Sequence, residues 1–286
     1  MDYREHRYAA ASGGLTLFAR DYGGDGPPLL LMHGLTRNSA DFEPLAAVLA
    51  PRWRLVVPDQ RGRGLSDSDP APANYRPDVY VADMFALLDG LGIERCGLIG
   101  TSMGGLMAMI MGAMQPARIS AMVLNDVGPE LDPAGLARIA GYVGGGTSFA
   151  DWDEAAAACA AINASAFPGF GPDDWLAWAR RTCREDAEGR VSFAYDPAIA
   201  RGFEGEGEVA PTDLWPLWDA LSPLPVLAIR GALSDLLAPA TVETMAARHS
   251  GPFSSIEVPG RGHAPLLDEP AALAAIETFL AEHWPA

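Results

Sequence analysis

Ser102 lies in Gly100-Thr101-Ser102-Met103-Gly104, a G-x-S-x-G segment directly after the apolar run Cys96 to Ile99 and directly before a helical pattern from Met103 to Gln115. A serine so placed suits acyl transfer, with the hydroxyl attacking a carbonyl carbon. The turn from strand to helix is so sharp that side chains two residues either side of the serine would collide, hence the glycines, and it lifts the hydroxyl above the sheet. The helix N-terminus also offers the backbone N–H of Met103 to an oxyanion forming on the substrate. Serine is a poor nucleophile until a base accepts its proton and a third group orients that base. Of the five histidines, His6 and His283 lie in terminal segments and His249 ends a helical stretch beside Ser250-Gly251, leaving His33 and His263.

The surrounding elements alternate. A hairpin is expected from Tyr3 to Ala10 and Leu15 to Tyr22, turned by Gly13-Gly14. Leu29 to Met32, Leu55 to Val57, Gly97 to Ile99 and Met122 to Leu124 are near-continuous apolar runs, as parallel strands covered on both faces require. Helices are expected between them at Asp41 to Leu49, Pro77 to Leu91 and Met103 to Gln115, the last stopped by Pro116. From about Pro129 to Ser222 the chain turns Gly-, Pro- and Trp-rich, with helical patches at Asp151 to Ala166 and Asp173 to Asp186. Strand pattern resumes at Val226 to Ile229 and Ser255 to Val258, and a helix from Pro270 to Glu282 closes the chain. Gly144-Gly145-Gly146 lacks the phosphate-loop lysine pattern and reads as a hinge.

With strand, G-x-S-x-G and helix in register, and with His33-Gly34-Leu35-Thr36 and Asp59-Gln60-Arg61-Gly62-Arg63-Gly64-Leu65-Ser66 after the earlier strands, the chain resembles the α/β-hydrolase family over nearly all its length outside the Trp-rich segment. The resemblance implies a mostly parallel, doubly wound eight-stranded sheet, with residues 1–128 and 223–286 as the core domain and 129–222 as an inserted helical cap. It implies that Leu35 supplies the second oxyanion N–H, that His33 braces the turn before it, and that the Asp59 loop is a packing signature without a chemical role. Asp235, in Arg230-Gly231-Ala232-Leu233-Ser234-Asp235 after the penultimate strand, and His263, in Gly260-Arg261-Gly262-His263 after the last, match the family's positions for the triad acid and base. Asp126, at the end of an inner strand, is the rival acid, because some members carry the carboxylate there.

Composition narrows the partners. The net charge of −17 repels phosphate backbones and anionic membranes, so neither nucleic acid nor a membrane is expected. The charged N-terminal residues Met1 to Arg7 lack a secretory pattern, so a cytoplasmic protein is expected, as monomer or homodimer. Cys96, Cys159 and Cys183 have no metal-binding spacing and read as buried thiols. No cofactor and no metal are expected, since the side chains themselves suffice. Trp152, Trp175, Trp178, Trp215 and Trp218 are candidate walls of an apolar substrate chamber. The expected reaction is cleavage of a small, mainly hydrophobic carboxylic ester through an acyl-enzyme. Lactones or carbon–carbon bonds are alternative targets of the same machinery; a carboxylate-bearing lactone would need a cation, for which Arg138, Arg180, Arg181, Arg184, Arg190 and Arg201 of the cap are candidates. A ligand-binding receptor on the same fold is the alternative outside catalysis.

Overall fold

The alternation of apolar and covered positions along each strand dictates the layering. The computed structural model describes residues 1–145, 148–203 and 213–286. Its main sheet joins β1 (Arg4–Ala9), β2 (Thr16–Asp21), β3 (Pro28–Met32), β4 (Arg54–Asp59), β5 (Cys96–Thr101), β6 (Ile119–Asn125), β10 (Val226–Gly231) and β11 (Phe253–Val258), in the order β1-β2-β4-β3-β5-β6-β10-β11. The hairpin β1-β2 pairs antiparallel, β2 joins β4 antiparallel, and every later pair is parallel. This is the mostly parallel eight-stranded sheet of the α/β-hydrolase fold.

Side chains alternate across the pleat. Leu30, Met32, Leu98, Met122 and Leu124 face one core, shared with α2 (Pro77–Gly90) and α3 (Met103–Met114). Leu29, Leu31, Ile99, Val123 and Ile229 face the other, closed by α1 (Glu43–Leu49) and α9 (Pro270–His283). Both faces being covered explains why these strands read as unbroken apolar runs. Helix α3, apolar all round in Met and Leu, lies in the middle with Met107 and Met111 fully buried, as an interior helix must.

Segment 129–222 departs from this rhythm. It carries α4 (Pro133–Tyr142), β7 (Ser148–Phe149), α5 (Trp152–Asn163), α6 (Pro172–Thr182), β8 (Cys183–Glu185), β9 (Val191–Phe193) and α7 (Trp215–Ala220). The three strands form their own antiparallel sheet, β7-β9-β8, outside the main one. The helix expected to run to Asp186 stops at Thr182, because residues 183–185 pair with β9 instead. Helix α4 was not anticipated, although Asp132 caps it through the Ala134 N–H and Pro133 opens it. Gly144 takes φ +87° just beyond α4; Gly146 of the expected hinge lies outside the described residues. The last helix before β11 is α8 (Pro239–Arg248). Among the described residues no helix is long and apolar enough to cross a membrane.

Two buried polar devices hold the sheet edge where β3 and β4 end. Arg61, fully buried, donates two hydrogen bonds to Asp83 of α2 at 2.9 and 2.8 Å and one to Asp69 at 2.5 Å, tying the loop after β4 to α2. His33, also fully buried, accepts from the Gln60 N–H at 3.2 Å through Nε2, which leaves Nδ1–H to donate to the Gly34 carbonyl at 2.7 Å. That tautomer is neutral, and burial pushes the His33 pKa down to about 3.

Two stability measurements follow. Arg61→Met leaves Asp83 and Asp69 without their cation and should cost about 3–5 kcal/mol in a denaturant melt. The unfolded chain binds a proton at His33 below about pH 6.5, whereas the folded chain resists it to about 3. The contribution is therefore complete above 6.5 and lost on acidification, by up to about 1.4 kcal/mol per pH unit. The difference in stability between wild type and His33→Gln should shrink across that window; a constant difference contradicts a neutral buried His33.

Candidate active site

Three strand ends converge on Ser102. The residue sits between β5 and α3 at φ 52° and ψ −115°, a conformation that L side chains rarely adopt. A Cβ on Gly100 would collide with the Gly104 carbonyl, and one on Gly104 with the Met32 carbonyl, so the spacing of the two glycines is a steric requirement. Met103 opens α3, where its N–H has no acceptor one turn back. Leu35, in the loop after β3, lines both cavities that reach Ser102.

The Ser102 hydroxyl lies 2.8 Å from His263 Nε2, on the loop after β11. His263 Nδ1 lies 2.7 Å from Asp126 Oδ2. The expected partner, Asp235, does not reach the histidine. Its carboxylate takes two hydrogen bonds from Arg138 of α4, at 2.5 and 2.8 Å, and that guanidinium holds its pKa below the usual carboxylate range. The adjacent Ser234 turns inward instead: its hydroxyl donates to Asp126 Oδ2 at 2.6 Å and accepts from the Leu236 and Leu237 N–H groups. Asp126 is fully buried, its Oδ1 accepting from the Gly231 N–H at 2.7 Å. Of the two expected acids, Asp126, immediately after β6, is therefore the one within hydrogen-bond distance of His263, and Asp235, beyond the turn that leaves β10, is held by Arg138.

Two cavities meet at Ser102. The larger, about 680 Å³, is walled by apolar and aromatic side chains including Tyr75, Tyr80, Met103, Leu106, Leu131 and Leu136, with Arg76 and Arg201 also lining it. The smaller, about 100 Å³, is bounded by Arg37, Cys159, Asn163, Trp178, Tyr195 and Pro265. Of the candidate tryptophans, Trp178 lines the smaller cavity. Trp175 packs against Phe167, Phe170 and Trp178; Trp218 is fully buried against His249 and Phe253; Trp152 lies under Arg180 and Trp215 under Arg248. Tyr75, Tyr80 and Leu106, on or beside core helices, were missed because nothing in a core helix pattern distinguishes a residue facing a cavity from one facing a neighbour.

Cys96, Cys159 and Cys183 are buried free thiols. No cluster of three or more His, Cys, Asp or Glu residues suited to a metal occurs among the described residues.

A family model for the alpha/beta hydrolase fold matches residues 27–270. The chain is similar to a 3-hydroxybutyrate-oligomer hydrolase of Cupriavidus necator, at 36% identity over 88% of this chain and 87% of that one. It is similar to a 2-(acetamidomethylene)succinate hydrolase of Mesorhizobium japonicum at 30% identity, over 88% and 86% of the two chains. A crystal structure of an alpha/beta hydrolase from Novosphingobium aromaticivorans superposes with a TM-score of 0.91 at 45% identity, covering 97% of this chain and 98% of that one. With a strand-turn-helix serine, a family match across most of the sequence and hydrolases as relatives, the chain belongs to the α/β-hydrolase fold family.

Proposed function

We propose that this protein hydrolyses a small, mainly hydrophobic carboxylic ester through an acyl-enzyme, with Ser102 as nucleophile, His263 as general base and Asp126 as the acid that orients it. The observation that carries the reading is the unbroken chain of hydrogen bonds from Ser102 Oγ through His263 to Asp126. In the first half-reaction Ser102 Oγ attacks the ester carbonyl and its proton passes to His263 Nε2. The Leu35 and Met103 N–H groups receive the oxyanion. Collapse of the tetrahedral intermediate expels the alkoxide, which takes the proton from His263 and leaves as alcohol. Water then attacks the acyl-serine, again giving a proton to His263, and collapse releases the acid while the proton returns to Ser102.

Asp126, dry and held by the Gly231 N–H and Ser234 hydroxyl, keeps the Nδ1–H tautomer of His263 and favours its charged form during each step. Segment 129–222 acts as the cap: Ile139, Tyr142, Cys159, Trp178 and Tyr195 from it close the smaller cavity over Ser102. An apolar chamber of about 680 Å³ suits the aliphatic part of an ester and lies within the ordinary size of small-molecule sites. Similarity to a 3-hydroxybutyrate-oligomer hydrolase supports the ester reading, since oligomers of a hydroxy acid are joined by ester bonds. Arg76 and Arg201 at the same chamber would meet a carboxylate at the far end of such a substrate.

The test is hydrolysis of p-nitrophenyl esters of increasing acyl length. Wild type should cleave them and Ser102→Ala should not; a wild type that cleaves none overturns the reading. Asp126→Asn should lower kcat by about 10⁴-fold, the loss expected when the base is held in the wrong tautomer, while Asp235→Asn keeps kcat near wild type. The reverse order would restore Asp235 as the acid. Leu106→Phe, which fills part of the larger chamber, should move the preferred acyl chain to a shorter one; an unchanged optimum would show that the acyl group lies elsewhere.

A further inference from the structure

Arg63 poses an electrostatic problem that the Ser102, His263 and Asp126 array does not explain. Its side chain is 1% exposed. Two residues away, the equally buried Arg61 is matched by two carboxylates. Arg63 has none within ion-pair distance among the described residues. Its donors go to neutral groups: Nε to the Leu35 carbonyl at 2.9 Å, Nη1 to the Arg61 carbonyl at 2.8 Å and the Tyr80 hydroxyl at 2.9 Å, and Nη2 to Met103 Sδ at 3.8 Å. The rings of Tyr80 and Tyr75 lie 4.8 and 5.6 Å from the guanidinium carbon. Cation–π contacts and neutral acceptors soften the burial of a charge without cancelling it.

The backbone goes to some length to place this cation. Gly62 and Gly64, either side of it, both take positive φ, and a Cβ on Gly64 would collide with the Asp59 carboxylate. The Gly64 N–H is fixed at 2.8 Å to the Ala194 carbonyl, and Arg63 forms a β-bridge with Tyr195, both from segment 129–222. Two of the groups that the guanidinium touches belong to Leu35 and Met103, the residues whose N–H groups would receive the oxyanion. It lines neither cavity, so it acts through those residues rather than on substrate.

We propose that Arg63 is a positioning residue of the oxyanion hole, which fixes Leu35 and Met103 and holds a buried positive charge whose counter-charge is the oxyanion formed in the reaction. The proposal rests on the acyl-transfer reading of Ser102. A buried cation that no carboxylate among the described residues pairs favours the one state in which an anion forms on the Leu35 and Met103 N–H groups it braces, and that differential stabilisation is what accelerates a reaction. A role in packing alone would need the hydrogen bonds but not the charge.

The experiment measures kcat and KM for p-nitrophenyl butyrate, and the inhibition constant of an alkyl trifluoromethyl ketone, which adds Ser102 to form a tetrahedral oxyanion. Wild type, Arg63→Gln and Arg63→Lys are compared, with thermal melts to confirm folding. Losing one oxyanion-hole donor costs about 10²–10³ in kcat, so Arg63→Gln, one contact further away, should lose about 10- to 100-fold. KM should stay near wild type, the inhibition constant should rise with the loss in kcat/KM, and Arg63→Lys, which keeps charge without the fork, should fall between. A folded Arg63→Gln with wild-type kcat, a change in KM alone, or equal losses in both variants overturns the proposal. If Arg63→Gln does not fold, Arg63→Lys decides: its inhibition constant must rise several-fold more than its KM, and parallel changes overturn the proposal. A wild type inactive on every ester would instead overturn the reading of Ser102 on which this rests.

Discussion

A serine held at φ 52° and ψ −115° is the constraint around which the rest of this molecule is arranged. A non-glycine residue in such a conformation costs about 1–3 kcal/mol and persists only where its surroundings over-determine it. Here they do. Strand β5 lies between β3 and β6 in the middle of the sheet, its register fixed on both sides. Helix α3 is buried among apolar side chains, and the Ser102 N–H is tied to the Asn125 carbonyl at 2.9 Å. The two glycines let the helix start against the strand end without a collision. The strain is the structural price of a hydroxyl that projects beyond the sheet edge with an open helix N-terminus beside it.

Every other member of the array is then a matter of strand order. Strand β6 neighbours β5, so the residue following it, Asp126, is one strand away from Ser102. Strands β10 and β11 come next, so their loops arrive on the far side of Asp126 and deliver Ser234 and His263 to it. Burial of Asp126 would be costly for an unpaired carboxylate, but three donors surround it: the His263 ring, the Ser234 hydroxyl and the Gly231 N–H. Asp235 meets a different fate because α4 brings Arg138 to it, and a bidentate guanidinium is a stronger partner for a half-exposed carboxylate than a distant imidazole.

The fold was legible because it is written in local patterns: apolar runs for covered strands, Pro77 and Pro116 at helix boundaries, and glycines at the turn around Ser102. That Ser102 and His263 meet was legible too, Ser102 from the strand, glycines and helix around it and His263 from its resemblance to the family's position after the last strand. The carboxylate that meets His263 was not, because Asp126 and Asp235 both lie near the ends of neighbouring parallel strands, and which of them reaches the ring depends on which way the β10 turn points Ser234 and Asp235. That direction is set by long-range contacts, with Arg138 on one side and Asp126 on the other. The tryptophans misled in a similar way. They were expected to wall a chamber, whereas Phe167, Phe170, Trp175 and Trp178 form one packed cluster, of which Trp178 lines the smaller cavity. Arg63 was hidden inside a loop whose spacing signals packing; that no carboxylate among the described residues pairs with it is a matter of long-range contacts, which no sequence pattern records.

The central claim is that Ser102 is a nucleophile made competent by His263 and Asp126. Its most direct measurement is reaction with a fluorophosphonate followed by peptide mapping by mass spectrometry, in wild type and Asp126→Asn. The account predicts one adduct per chain, on the peptide bearing Ser102, formed far more slowly in Asp126→Asn. An adduct on another residue, or equal rates in the two proteins, would contradict it.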